Sequence, residues 1–286
     1  MAQRANIAGA GLDFDPEIQH HAAMTTLKNI VADCLACLRF YTRLPVRIPA
    51  IVQCDHEFTC FTRSLWAAPL AGASIGALGG VVLAFCALAR LPDSVSAGLA
   101  LTAIVLLTGA LHEDGLADTA DGLGGGASRE RKLEIMRDSR LGAYGAIAVG
   151  LSLLLRFAAI SALLERGVWC AVTGTIAAGA FSRAIGLLPL VLLKSARSDG
   201  VSASVGQLPR SLFLCAMVLG VAFGLTPLLA GNSLWPTLAA MPLAGLSSLA
   251  ITKCAGRQID GHTGDILGAA QQVAEILAFC ALSAKI

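Results

Sequence analysis

From residue 65 to residue 284 the chain alternates between polar links and apolar runs of near membrane-crossing length, at about 65–89, 94–111, 142–164, 169–193, 211–230, 234–252 and 267–284. A helix needs roughly 20 apolar residues to cross a bilayer. In lipid every backbone polar group must be satisfied internally, which a helix does within its own segment. The runs therefore predict an all-α, polytopic integral membrane helix bundle of about seven transmembrane spans. Composition agrees. The chain is 56% hydrophobic and only 14% charged, against about 25% charged in a soluble domain. So few charges cannot coat a water-soluble surface for 286 residues. The last run is the weakest, because Gln271, Gln272 and Glu275 interrupt it.

Two segments precede the spans. Residues 1–23 form a polar head, expected to be mobile, without the basic start and small-residue cleavage site of a signal peptide. Residues 24–45 are amphipathic, with Lys28, Asp33, Arg39 and Arg43, and predict an interfacial helix stopped by Pro45. Residues 24–286 then read as one membrane-embedded domain. The nine cysteines are odd in number and lack framework spacing, which argues against a disulfide scaffold; Cys34 and Cys37 read as small apolar residues on a helix. A net charge of +2, with no basic stripe and no interleaved aromatics, excludes nucleic acid as a partner.

Lys and Arg set the orientation. Seven spans divide the links into two sides. The side holding 24–64, 112–141, 194–210 and 253–266 carries fifteen basic residues; the other carries Arg90, Arg166 and Lys285. The excess predicts that the first side is cytoplasmic.

On that side the apolar run LALTAIVLLTGAL ends in HEDGLADTADG, residues 112–122. Asp114, Asp118 and Asp121 are spaced i, i+4, i+7 and fall on one face of a helix. Three carboxylates on one face repel one another unless a cation joins them. All-oxygen ligands suit Mg²⁺, with Mn²⁺ as a substitute, and such ions commonly bind substrate phosphate too. A solvated helix end with incidental acids is the plainer alternative. His112 reads equally as a general base or ligand and as a helix-terminal residue. The link continues through Gly124 and Gly125 into Arg129, Arg131, Lys132, Arg137, Asp138 and Arg140. Basic side chains opposite a bound cation suit phosphoryl transfer; a surface helix stitched by ion pairs is the alternative.

Arg156 and Arg183 lie inside apolar runs, where charge costs at least ~2.5 kcal/mol at mid-bilayer. They should face the bundle interior and meet either a phosphate or a structural partner such as Glu275. Near the carboxyl end, GHTGDILG (261–268) brings Thr263, Gly264 and Asp265 to the start of the last run. Asp265 is either a simple helix cap or a further metal ligand beside the first cluster.

Taken together, HEDGLADTADG, the glycine bend, KLEIMRDSRLGAYG, GHTGDILGA and the earlier FYTRLPV (40–46) resemble the cobalamin-5′-phosphate synthase family, also called adenosylcobinamide-GDP ribazoletransferases. The similarity runs from about residue 27 to the end. The head has no counterpart, and Asp260-Gly261-His262 stands where the family often has paired glycines before T-G-D. The resemblance implies a bacterial inner-membrane enzyme with its active-site loops on the cytoplasmic side. It would transfer the phosphocobinamide part of adenosylcobinamide-GDP to α-ribazole, or its 5′-phosphate, and release GMP. The implied cofactor is Mg²⁺ held by Asp114, Asp118, Asp121 and Asp265, with His112 or a carboxylate taking the proton. Implied substrate contacts are Arg39, Arg43, Gly124, Gly125, Arg137, Asp138, Arg140, Arg183, Thr263 and Gly264. Candidate partners besides the substrates and the lipid bilayer are other nucleotide-loop assembly enzymes and further copies of the chain.

Two other readings compete. CDP-alcohol-type phosphotransferases also use an aspartate cluster at a membrane surface, but this cluster is arranged differently. A secondary transporter would show repeats or matched broken helices, and neither is seen.

Overall fold

The computed structural model describes residues 16–46, 57–198 and 204–285. Residues 1–15, most of the expected head, lie outside them; residues 16–23 belong to a helix. In chain order the helices are α1 (Pro16–Tyr41), α2 (Glu57–Ser64), a 3-10 turn (Leu65–Ala67), α3 (Ala68–Leu88), α4 (Asp93–Thr108), α5 (Leu111–Gly125), α6 (Arg129–Ile135), α7 (Ala143–Leu164), α8 (Val168–Ile185) and α9 (Leu188–Leu192). There follow α10 (Arg210–Gly224), a 3-10 turn (Thr226–Ala230), α11 (Leu234–Ile259) and α12 (Gly264–Leu282). Among the described residues six helical segments are long and apolar enough to cross a membrane, and α4 with α5, bent by 85° at their junction, would together make a seventh. The chain is a polytopic membrane helix bundle.

The central segments are Val168–Leu192, which is α8 with α9, and α12, with apolar stretches 78% and 72% buried, against 22% for the segment Arg210–Ala230. This explains the weak last run. Gln271, Gln272 and Glu275 are buried between helices and do not face lipid. α3 and α8 pack backbone against backbone. A Cβ at Gly72 would overlap the carbonyl of Gly179, and one at Gly76 the carbonyl of Thr175. Thr175 Oγ1 donates to Gly76 O at 2.9 Å across the same seam. Small residues allow such backbone approach where the hydrophobic effect cannot drive helix association. A core of Leu83, Ile160, Leu163, Phe181, Phe279 and Leu282 fills the centre.

The second expected span, 94–111, stops early. α4 ends at Thr108, then Gly109 (φ 63°) and Ala110 (φ 58°) are both left-handed and turn the chain into α5. Glycine enters that region freely and alanine at a cost. Arg43 lies across Gly109, and its amide donates to Leu107 O at 2.7 Å. The amphipathic amino-terminal segment thereby braces the corner. That segment is helical over Pro16–Tyr41 and stops four residues short of Pro45.

Candidate active site

The corner aims α5 across the start of α12. The two helices cross at Gly115 and Gly268, close enough that a Cβ on Gly115 would stand 3.2 Å from the Cα of Gly268. Thr263 caps α12, its hydroxyl accepting from Ile266 N at 3.3 Å. That hydroxyl also donates to Asp265 Oδ2 at 3.1 Å. The turn before the cap is held from two sides. His262 pairs with Ser195 in an isolated parallel bridge, through His262 N to Lys194 O and Ala196 N to His262 O, both 2.8 Å. Arg129 donates to Ile259 O and Ala196 O, both at 2.9 Å.

This geometry walls a cavity of about 350 Å³. Asp114 and His112 of α5, Arg183 of α8, Arg197 of the link after α9, and Gly264 and Asp265 of α12 line it. Arg197 Nη1 lies 3.5 Å from Asp265 Oδ2, and its Nη2 donates to Leu133 O at 3.1 Å. Arg183 donates to Gly179 O at 3.0 Å. Among the described residues neither Arg183 Nε nor Arg197 Nε has a hydrogen-bond partner. Two guanidinium groups with unused buried donors, facing two carboxylates, make a site that can take a phosphate together with a cation. Tyr41 closes the cavity from α1, stacked on His112 with ring centroids 5.6 Å apart and 17° between planes. Burial pushes its hydroxyl above the usual phenol range, a nearby Cys37 adds to this and Arg183 opposes it, so Tyr41 stays neutral.

Beside the cavity lies a buried ion network. Arg156, 1% exposed, donates to Glu113 at 2.8 Å and to Glu275 at 3.3 Å. Glu275 also meets Arg183 at 3.4 Å and accepts from Gln271 at 2.6 Å. Two arginines and two glutamates balance, which is the condition for keeping buried charge. Arg156 is thus wholly engaged by protein, whereas Arg183 belongs both to the network and to the cavity wall.

The expected site residues separate into those the fold gathers and those it does not. Asp114, His112, Arg183, Gly264 and Asp265 share the cavity. Asp118, one turn along α5, faces the charges of Asp114, Asp265 and Asp121. Asp121 turns away, accepting from Gly142 N at 2.8 Å and Gly145 N at 2.9 Å at the start of α7. Gly124 packs under the Tyr144 ring and Gly125 ends α5, both outside the cavity. Arg39, Arg43 and Arg137 are exposed residues outside its lining. Asp138 and Arg140 pair with each other, Arg140 Nε donating at 3.0 Å. These bonds hold the Asp138 carboxyl down at about 2. Sequence reasoning missed Arg197 and Tyr41. The only available signal for Tyr41 was its place in FYTRLPV; Arg197 sits in an ordinary basic link.

The carboxylates suit a hard divalent cation, which takes oxygen ligands. Among the described residues no three His, Cys, Asp or Glu side chains converge as a ready-made metal site. The two carboxylates that line the cavity, Asp114 and Asp265, are the number that Mg²⁺ usually takes from protein, phosphate and water filling its other positions.

A family model described as cobalamin-5-phosphate synthase matches residues 33–283. A protein of Azorhizobium caulinodans named adenosylcobinamide-GDP ribazoletransferase is 46% identical over 250 residues, 87% of this chain and 94% of that protein. Proteins of the same name from Mesorhizobium japonicum (44% over 249 residues) and Bradyrhizobium diazoefficiens (41% over 254 residues) cover 87% and 88% of this chain, and 92% and 93% of their own lengths. No solved structure matches. With almost its whole length matched, the chain belongs to the cobalamin-5-phosphate synthase family of enzymes.

Proposed function

We propose that the chain transfers the phosphocobinamide group of adenosylcobinamide-GDP to the ribose hydroxyl of α-ribazole or α-ribazole 5′-phosphate, the last assembly step of the cobalamin nucleotide loop. The observation that carries the chemistry is the meeting of Asp114 and Asp265 with Arg183 and Arg197 around one cavity.

In this reading the hydroxyl oxygen bonds to the phosphorus that carries the cobinamide. The bond from that phosphorus to the bridging oxygen breaks, GMP leaves with the bridging oxygen, and the hydroxyl proton passes to His112 or a cavity carboxylate. Arg183 and Arg197 neutralise the diphosphate and orient it for in-line displacement, which needs positioning and charge balance more than a covalent nucleophile. Asp114 and Asp265 are the residues that would hold Mg²⁺, with Asp118 one turn along α5 adding negative charge beside them. When bound, Mg²⁺ supplies charge neutralisation on the phosphate oxygens. Asp121 supports α7 in this scheme. The surface pair Asp138–Arg140, with Arg137, is a candidate for first contact with the nucleotide. In this reading the protein lies in the inner membrane, and the lysine and arginine excess supports placing the cavity on the cytoplasmic side.

The test offers the purified, detergent-solubilised protein adenosylcobinamide-GDP with either α-ribazole or diacylglycerol and identifies the corrinoid product by mass. A product carrying ribazole is expected. A product carrying lipid would instead make this a lipid phosphotransferase.

A further inference from the structure

The cavity has two chemically distinct groups of lining residues. Its charged residues come from α5, α8, the 194–198 link and α12. The other group comes from α1, α2, the adjoining 3-10 turn, and α9 with the residue before it, and is led by Phe40, Tyr41, Phe61, Leu65, Leu187 and Leu190. Resting on the transferase reading, we propose that this second group receives the base of the acceptor nucleoside, a neutral fused-ring aromatic, and that guanine and the corrin ring lie elsewhere.

Size gives the first reason. About 350 Å³ is near the lower end of ligand pockets, roughly 300–1,000 Å³. It admits a nucleoside but not a corrin macrocycle, which must remain outside the mouth. Polarity gives the second. Guanine presents a row of donors and acceptors that a specific pocket must answer. Among the described residues of the apolar group only Tyr41 has a polar side chain. The neighbouring Gln271 already spends both Nε2 protons, on Ser182 at 2.9 Å and Glu275 at 2.6 Å. A methylated benzimidazole, the base of α-ribazole, asks for apolar contacts and ring edges. The wall supplies them: Phe40 stands edge-on to Tyr41 at 5.0 Å and 83°, and tilted to Phe61 at 4.6 Å.

The wall is also held in advance. Asp33 of α1 is buried and accepts from Arg63 at 3.3 Å, Ser64 at 3.2 Å and Trp66 at 3.0 Å, latching α1 to the α2 end. Cys37 Sγ donates to Ser64 O at 3.1 Å beside it. Thr62 donates to Val205 O at 2.8 Å, fixing α2 to the far rim. A base seated here directs its ribose toward Asp114, Asp265 and Arg183.

Steady-state kinetics test the assignment. Phe61→Ala should raise KM for α-ribazole roughly tenfold, the size of one lost base–aromatic contact, while KM for adenosylcobinamide-GDP stays put. Phe61→Leu should recover part of the loss. A rise in KM for adenosylcobinamide-GDP instead, or no change in either, overturns the assignment. If the variants do not fold, wild-type protein answers the same question with a base series. Removing the base methyl groups or substituting a purine should each raise the acceptor KM several-fold; equal KM values across the series overturn the proposal. Wild-type turnover with an unmoved KM defeats only the base pocket. Absence of GMP release from wild-type protein with every acceptor defeats the transferase reading, and this proposal with it.

Discussion

Arg156 Nη2 lies 2.8 Å from Glu113 Oε1, with both side chains sealed from solvent. The arginine comes from the middle of α7 and the glutamate from the first turn of α5, just after the Gly109–Ala110 corner. The pair therefore anchors the helix that carries Asp114 and Asp118 to the bundle interior. Breaking a buried pair leaves an uncompensated charge and costs about 3–5 kcal/mol. Arg156→Met should lower the melting temperature in detergent far more than Arg140→Met, whose partner Asp138 is at the surface. Equal melting temperatures for the two variants would mean that the network does not hold the fold.

The three aspartates of α5 should not behave alike. Asp121 spends both carboxylate oxygens on the amides of Gly142 and Gly145, charge-assisted bonds worth about 1.5–3 kcal/mol each. Asp121→Asn is expected to destabilise the protein measurably. Asp114→Asn and Asp265→Asn are expected to keep the melting temperature within a few degrees and to lose at least about a hundredfold in GMP release, the order seen when charge-stabilising groups are removed. Parallel melting and activity assays on the three variants check this. The reverse pattern would mean that Asp121 belongs to the site and Asp265 only to the helix cap.

The α3–α8 seam makes a sharper stability prediction. Gly72→Ala places a methyl into the Gly179 carbonyl, a backbone group that cannot move aside. Gly150→Ala meets nothing within 4 Å. Size-exclusion profiles after heating should show early aggregation for the first variant and wild-type behaviour for the second.

Stability should also fall with acid. His262 is buried with neither ring nitrogen partnered among the described residues, and burial pushes it down to about 4. The unfolded chain takes up a proton near 6.5 while the folded one resists. The contribution is thus fully present above 6.5 and is lost as pH falls toward 4. Melting temperature followed from pH 7 to 4 should drop less in His262→Phe than in wild type. Identical slopes would remove His262 from the account.

How much of this was legible in the sequence follows from the range of each force. The apolar runs announced the spans, because membrane insertion reads about twenty residues at a time. The corner at Gly109 was hidden inside an apolar run, where hydropathy carries no information about φ. Arg156 and Glu275 were visible as intramembrane charges, but their contact bridges 119 positions, and nothing in the sequence tells Glu113 from the acids that follow it. The i, i+4, i+7 spacing correctly put Asp114, Asp118 and Asp121 on one helix. It could not say that α7 begins beside the third of them. Asp265 joins Asp114 at the cavity because Gly115 and Gly268 let their helices cross closely, a relation between distant glycines that periodicity does not encode. Arg197 looked like any basic residue of a surface link.

The most direct test of the account is GMP release by the purified protein given adenosylcobinamide-GDP, with α-ribazole present or omitted, in Mg²⁺ and in EDTA. Release that requires both α-ribazole and the metal is the predicted result. Release without α-ribazole, or at an undiminished rate in EDTA, would contradict a cavity in which carboxylates and a divalent cation join the diphosphate to an acceptor hydroxyl.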